Sequence, residues 1–339
     1  MSKPKVLVTG ATGFLGGNIL QALMARDEVQ VVAACRDPRK LPKSFSGEVR
    51  EGDLMDAKYR RTVVRDVDVV CHAASWASLW GHRQLERERY YEPTCRLIDA
   101  AIDQNVGRFI LTSTVAVNAV AKKSQPLDDF GVTGYVKYWP HLNMLIDVDS
   151  YMRARATPAQ QMVTLRLGNF VGRGNRLGLL PVLVPRLKTH LVPWLAGGRK
   201  RMPLVADTDL GQAYALAAVA KGLLDYESFN ICGAEFPTMR EVLNLIAQET
   251  GVPLPHFSVP YPVGYLFGWM LETLNPVLPG YPFLTRSIVH LSEEWLAPND
   301  YAKTKLGYRP RKDWRSAVRE HLAEIKAEGY PWPHLCQAV

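Results

Sequence analysis

Residues 9 to 16 read TGATGFLG, and this octapeptide limits the possible folds of the chain more than any other feature. Gly10, Gly13 and Gly16 follow directly on the apolar run Lys5-Val6-Leu7-Val8, and a helical pattern from Phe14 to about Ala25 follows them. A glycine triplet alone is a weak signal. Between a short strand and a helix, it has the setting that a dinucleotide pyrophosphate requires. Glycine lets the backbone turn sharply and approach the phosphates, and the helix start offers free N–H groups and a partial positive charge. A plain strand-to-helix turn is the bland alternative. The rest of the first half favours the ligand-binding reading. Short apolar runs recur at Val29 to Cys35, Val67 to Ala73, Arg108 to Ser113 and Val163 to Leu167. Helix-like spacing separates them, as in Thr94 to Gln104. This alternation predicts an α/β fold with a parallel sheet covered on both faces. The second half, richer in Pro, Trp and irregular stretches, changes character.

A chain of 339 residues suits two domains, at roughly 150 residues each. With 47% hydrophobic and 22% charged residues, disordered, collagen-like and coiled-coil classes are excluded. The net charge of +8 favours anionic ligands: phosphorylated cofactors, acidic membranes or nucleic acid. No basic stripe interleaved with aromatics is present, so nucleic acid is not expected. Cys35, Cys71, Cys95, Cys232 and Cys336 form no CxxC pair, and no secretory signal opens the sequence; a reduced cytoplasmic setting is expected. The eight histidines are dispersed, without HExxH or a Cys/His cluster, and no metal site is expected. From Thr250 to Leu271 there is no Asp, Glu, Lys or Arg, a length that matches a membrane span. Pro253, Pro255, Pro260 and Pro262 with His256 argue against one. A buried helix and peripheral membrane contact through 250–285 both remain open.

The second strand ends in Cys35-Arg36-Asp37, with Arg39 and Lys40 close behind. An acid at that position bonds the ribose hydroxyls of NAD, whereas an arginine suits the 2′-phosphate of NADP. The planar guanidinium of Arg36 matches phosphate, so NADP(H) is the preferred cofactor, and Asp37 keeps NAD(H) in play.

Several segments together resemble a known family. TGATGFLG, Gly52-Asp53-Leu54 after the third strand, Cys71-His72-Ala73-Ala74 after the fourth and FILTST (109–114) are similar to the extended short-chain dehydrogenase/reductase superfamily, which holds NAD-dependent epimerases and dehydratases. So are RLGNFVGRG (166–174) and PLVADTDLGQAYALA (203–217). The tail, through KTKLGYRP (303–310), most resembles the 3β-hydroxysteroid dehydrogenase and dihydroflavonol reductase branch. The resemblance implies a Rossmann-type doubly wound parallel sheet with a smaller, mostly helical C-terminal substrate domain. It places the nucleotide domain at 1–168 plus 203–232 and the substrate domain at 169–202 plus 233–339. It implies cofactor contacts from Thr9, Gly10, Gly13, Phe14, Leu15, Gly16, Leu54, Ala73, Ala74, Ser75 and Thr112, and an adenine contact from Asp53. Substrate contacts would come from Asn169, Phe170 and Arg173. Read from the residues alone, His72 is a core histidine and Asp53 a cap for a helix near Ala57.

The resemblance also implies a catalytic set: a Ser or Thr at the end of the fifth strand, a Tyr that passes the proton, and a Lys four residues later. Thr114 matches the hydroxyl, with Ser113 the alternative. The Tyr–Lys pair is absent as written. Tyr138 stands at the right distance before Arg166, but its i+4 residue is Leu142; Tyr135 has Trp139, and Tyr151 has Arg155 too near the sixth strand. A free phenol titrates near 10 and needs a cation to act at neutral pH. Lys137, in a loop before a helix starting near Pro140, is the only lysine at hand for Tyr138.

The walls predicted for the substrate are apolar. Trp76 and Trp80 share the i, i+4 spacing of a helix face, and Val182 to Trp194 and Tyr261 to Pro282 add Leu, Val, Phe, Tyr and Trp. These segments equally suit a second core. As ligand walls they point to a lipid-, steroid- or polycyclic-like alcohol or ketone. Two alternatives stand beside that oxidoreductase: a nucleotide-sugar epimerase or dehydratase, with Arg173, Arg176 and Arg186 meeting the diphosphate, and a non-catalytic dinucleotide sensor. A homodimer is compatible with all three.

Overall fold

The computed structural model describes residues 3–118, 126–277, 280–332 and 335. Its strands are β1 (Lys5–Thr9), β2 (Gln30–Cys35), β3 (Glu48–Glu51), β4 (Val69–His72), β5 (Arg108–Thr114), β6 (Gln161–Leu167), β7 (Asn169–Val171), β8 (Trp194–Leu195), β9 (Leu204–Ala206), β10 (Tyr226–Ile231) and β11 (Ser258–Val259). Seven of them form one sheet in the order β10-β6-β5-β4-β1-β2-β3, and every pair in it is parallel. The order reverses between β1 and β4, and in such sheets ligands settle in the crevice beyond the carboxyl ends at that reversal. β7 pairs with β9 and β8 with β11, both in parallel, outside the main sheet.

Helices cover both faces. α1 (Phe14–Met24) and α7 (Asp207–Val219) pack on one side; α2 (Ala57–Val63), α4 (Glu92–Asp103) and α5 (Pro140–Arg153) lie on the other. Val6, Leu7 and Val8 are wholly buried, which is why β1 is a continuous apolar run rather than an alternating one. Each such side chain contributes about 1.5–3 kcal/mol. The remaining helices are α3 (Arg83–Glu86), α6 (Leu179–Leu187), α8 (Met239–Thr250), α9 (Tyr261–Leu274), α10 (Arg286–Leu291), α11 (Asp300–Leu306) and α12 (Trp314–Ala327). α6, α8 and α12 enclose a third core with Trp194, Met202 and Trp314. α8 is delimited by a capping box between Thr238 and Glu241 and by a left-handed Gly251.

Two local expectations are corrected, and a third point is refined. Residues 73–82 form no helix, so the spacing of Trp76 and Trp80 does not place them on one helix face. Asp56, not Asp53, caps α2, accepting from the Lys58 amide; the Asp53 carboxylate accepts from the Met55 amide instead. The uncharged stretch after Thr250 divides into a loop and the 14-residue α9. At 1.5 Å per residue α9 is too short for a bilayer core of about 30 Å. No helix among the described residues is long and apolar enough to cross a membrane. The four described cysteines are free and buried, and Cys336 lies outside the described residues.

Candidate active site

A cavity of about 1250 Å³ begins at the glycine loop and extends to α6 and α9. At its sheet end it is lined by Gly13, Phe14, Leu15, Gly16, Ala73, Ala74, Ser75, Thr112, Ser113 and Thr114, with Asn169 and Phe170 opposite. Phe14 and Phe170 stack at 6.1 Å across it. Thr9 and Gly10 lie behind this wall. Thr9 Oγ1 bonds His72 Nδ1 at 2.9 Å and accepts from the Ala74 amide. Gly10 has φ +64°, and a Cβ there would sit 2.8 Å from the Ala74 backbone. A Cβ on Gly16 would fall 2.1 Å from the Gly10 carbonyl oxygen. α1 starts with no side-chain cap and no acid in its first turn, so its first amides face the cavity without an internal partner. These features fit a nicotinamide dinucleotide: a backbone cradle shaped by glycine and an uncapped, electropositive helix end.

His72 also reaches the cavity wall, but both ring nitrogens are held, by Thr9 and by Thr94 Oγ1 at 3.1 Å. Burial pushes its pKa down to about 4, so it stays neutral. Arg36 borders a separate depression of about 430 Å³ with Asp37, Pro38, Arg39 and Glu51. There Asp37 already binds Arg39 through both carboxylate oxygens, at 2.8 and 3.1 Å, and Arg36 has no ion-pair partner among the described residues. Lys40 lines the main cavity.

Other candidates do not meet there. Asp53, Leu54, Trp76, Trp80, Arg173, Lys137 and Tyr138 are absent from the cavity wall. Trp76 is buried in the core under β4, and Trp80 packs edge-on against His82. Asp53, Arg173 and Lys137 are exposed. The Tyr138 hydroxyl is taken up by Tyr265 at 3.4 Å and His290 Nδ1 at 3.2 Å, with Arg286 stacked on its ring at 5.0 Å. Burial raises its pKa, which leaves it a poor base.

The face of α5 that does line the cavity carries His141 and, one turn on, Leu145, with Trp139 just before the helix. His141 Nδ1 lies 2.8 Å from Oε2 of Glu86, a carboxylate with no solvent exposure. Glu86 ends α3, and Tyr90 stands four residues later, its ring 5.3 Å from that of His141. Between them the helix widens into a π segment, Arg87–Tyr91. Pro93 follows at once; it lacks an N–H and its ring crowds the carbonyl four residues back, a cause of such a bulge.

The model of the NAD dependent epimerase/dehydratase family matches residues 6–232. The chain belongs to that family. Among curated relatives, the chain is 27% identical to a 2-alkyl-3-oxoalkanoate reductase of Stenotrophomonas maltophilia, over 95% of this chain and 98% of that one. A protein of the same name from Shewanella oneidensis is 24% identical over 94% and 85%. Among solved structures, gox2253 superposes with a TM-score of 0.74 at 22% identity, covering 96% of this chain and 98% of that one. The UDP-glucose 4-epimerase of Thermus thermophilus, complexed with NAD, gives 0.70 at 20%, with 95% and 99% covered. These neighbours share the Rossmann-like sheet and the helical C-terminal part. The family is one of NAD-dependent oxidoreductase-type enzymes of the extended short-chain dehydrogenase/reductase type acting on small molecules.

His141, Glu86 and Tyr90 escaped the sequence reading, which searched for a lysine after each tyrosine. Counting from Pro140 as the first residue of α5 exposes the pair 141 and 145 as one face.

Proposed function

We propose that this enzyme interconverts a carbonyl and a hydroxyl on an apolar carboxylic acid of the 2-alkyl-3-oxoalkanoate kind. Arg186 carries this reading. It is buried on α6 and lines the apolar end of the cavity, beside Leu179, Val182, Leu183 and Phe267. Its Nε donates to the Phe283 carbonyl at 2.8 Å and Nη1 to the Val182 carbonyl at 2.7 Å, and no acid pairs with it among the described residues. Burial lowers its pKa to about 10, which keeps it charged at neutral pH. A guanidinium has five donors, so N–H groups remain for an anionic head, while alkyl chains fill the surrounding walls. The first relatives' name describes such a molecule. When bound, the nicotinamide supplies or accepts hydride at the carbinol carbon. Gly13, Phe14, Leu15 and Gly16 would hold its phosphates, Arg36 the 2′-phosphate of NADP(H), and Thr114 with Ser113 would bond the substrate oxygen. In this reading 1–168 plus 203–232 carry the cofactor and 169–202 plus 233–339 the substrate.

The test supplies reduced NADP with a 2-alkyl-3-oxoalkanoic acid and its methyl ester. Nicotinamide absorbance falls with the acid, and Arg186→Met raises KM for the acid roughly tenfold to hundredfold, the value of a charged hydrogen bond. The ester changes by less than about twofold. Equal losses on both, or steady absorbance while a nucleotide sugar is epimerised, would overturn it.

Peripheral membrane contact belongs to the same proposal. Val263 and Phe267 of α9 rim the cavity, while Leu266, Trp269, Met270 and Leu274 project into solvent from the same helix. An exposed apolar helix face at the mouth suits entry of an alkyl chain from a bilayer surface.

A further inference from the structure

We propose that His141, oriented by the buried Glu86, exchanges the proton with the substrate oxygen in place of a Tyr–Lys pair. This rests on the proposed carbonyl–hydroxyl chemistry and names the group that completes it. Three observations converge. The cavity-facing stripe of α5 carries His141 and Leu145 at i, i+4, so a titratable ring stands one turn from a residue that cannot supply charge. The nearest tyrosine on that segment, Tyr138, faces Tyr265 and His290 instead. Glu86 is fully buried, its Oε1 has no partner, and its contact with His141 at 2.8 Å is its one side-chain ion pair among the described residues.

The chemistry follows from that geometry. An ionised carboxylate only accepts, so the bond to Glu86 fixes the proton on Nδ1 and leaves Nε2 as the exchanging atom. Nε2 has no hydrogen-bond partner among the described residues, and the ring lines the cavity. A buried carboxylate beside an imidazole stabilises the imidazolium once Nε2 takes a proton. A free imidazole titrates near 6.5 and a free phenol near 10, so a histidine needs no lysine to work at neutral pH. Leu145 is therefore consistent with catalysis rather than a sign of its loss. In the reducing direction the reduced nicotinamide would supply a hydride, its own C–H bond breaking as it is oxidised, and a C–H bond forms at the carbonyl carbon. The C=O π pair moves to oxygen, which takes the Nε2 proton, and the ring becomes neutral until solvent returns a proton. Oxidation runs in reverse. Thr114 and Ser113, at the end of β5, share the cavity and can bond the same oxygen. The Tyr90 ring, 5.3 Å from the imidazole, also lines the cavity, and its hydroxyl lacks a partner among the described residues.

The first readout needs no cofactor: NMR of isotope-labelled histidines, with the His141 signals assigned by their loss in His141→Gln. We expect the Nδ1–H tautomer above neutral pH, lost or mixed in Glu86→Gln. The second is kinetic. His141→Gln slows turnover by about 10²–10⁴-fold, the usual value of general acid–base assistance, while the Kd for reduced NADP stays within about twofold. Glu86→Gln, altering a positioning residue, slows it by less and displaces the acid limb of the pH–rate profile. Tyr138→Phe leaves turnover within about twofold. An Nε2–H tautomer, near-wild-type rates in His141→Gln, or collapse in Tyr138→Phe would overturn the relay. Inertness of the wild-type protein toward every ketone would instead remove the substrate reading, and the tautomer would still decide the relay.

Discussion

The two ends of the cavity are built by different means. At the sheet end the wall is backbone: the glycine turn, the opening of α1 and the strand termini of β4 and β5. At the far end the wall is side chains from α6, α9 and the loops around them, elements with little shared regularity. Backbone geometry leaves a fixed residue spacing behind it, because only glycine tolerates the Gly10 conformation and the approach at Gly16. Side-chain walls leave only a bias toward apolar residues. The contrast teaches that cofactor class can be read from one octapeptide, while the substrate depends on contacts between distant segments.

The largest effect on ligand binding should come from the backbone end. Gly16→Ala pushes a methyl against the Gly10 carbonyl, a clash that a backbone oxygen relieves only by moving the turn. A loss of about 2–4 kcal/mol in denaturant unfolding is expected, with dinucleotide binding abolished. Binding at wild-type affinity would show that the cradle is not the cofactor site.

Acid should act next, through two buried histidines. Burial holds His72 and His290 neutral in the fold, each with a pKa near 4, whereas unfolded histidine takes its proton near 6.5. The unfolded chain therefore binds more protons between those values, and stability falls as pH drops from about 6.5 toward 4. Each contributes on the order of 3 kcal/mol, so the Tm should fall steeply in that window. A flat Tm across it would mean that neither ring is confined as described.

Cofactor choice should respond more mildly. Arg36→Ala removes one charge-assisted contact, so NADP(H) affinity falls about tenfold to hundredfold and NAD(H) affinity stays within about twofold. Equal loss for both cofactors would separate Arg36 from the 2′-phosphate. The smallest effect belongs to α9. Trp269→Ser combined with Leu266→Ser should lower co-sedimentation with lipid vesicles while leaving turnover of a short-chain soluble ketone unchanged. Unaltered sedimentation would detach that face from any membrane.

Most of the sheet was legible because buried parallel strands are plain apolar runs; β3 was harder, since Glu48–Glu51 is an exposed edge with two acids. The cavity's chemistry was less so. Glu86 and His141 are 55 residues apart, and only the packing of α3 against α5 joins them. Arg186 was visible as a cation, but its lack of an acidic partner among the described residues goes with the loop at 282–283 supplying carbonyl acceptors instead. Tyr138 shows the same limit of sequence spacing. Its distance from β6 suits catalysis, yet it precedes α5 and turns toward α9 and α10.

Isotope tracing meets the central claim most directly, because it follows one hydrogen across the junction of the two ends. Reduced NADP carrying deuterium at the transferable position would be incubated with a 2-alkyl-3-oxoalkanoic acid, and the product analysed by mass spectrometry. One deuterium bonded to the new carbinol carbon is the predicted result. Product without the label, or no reduced product at all, would contradict the account.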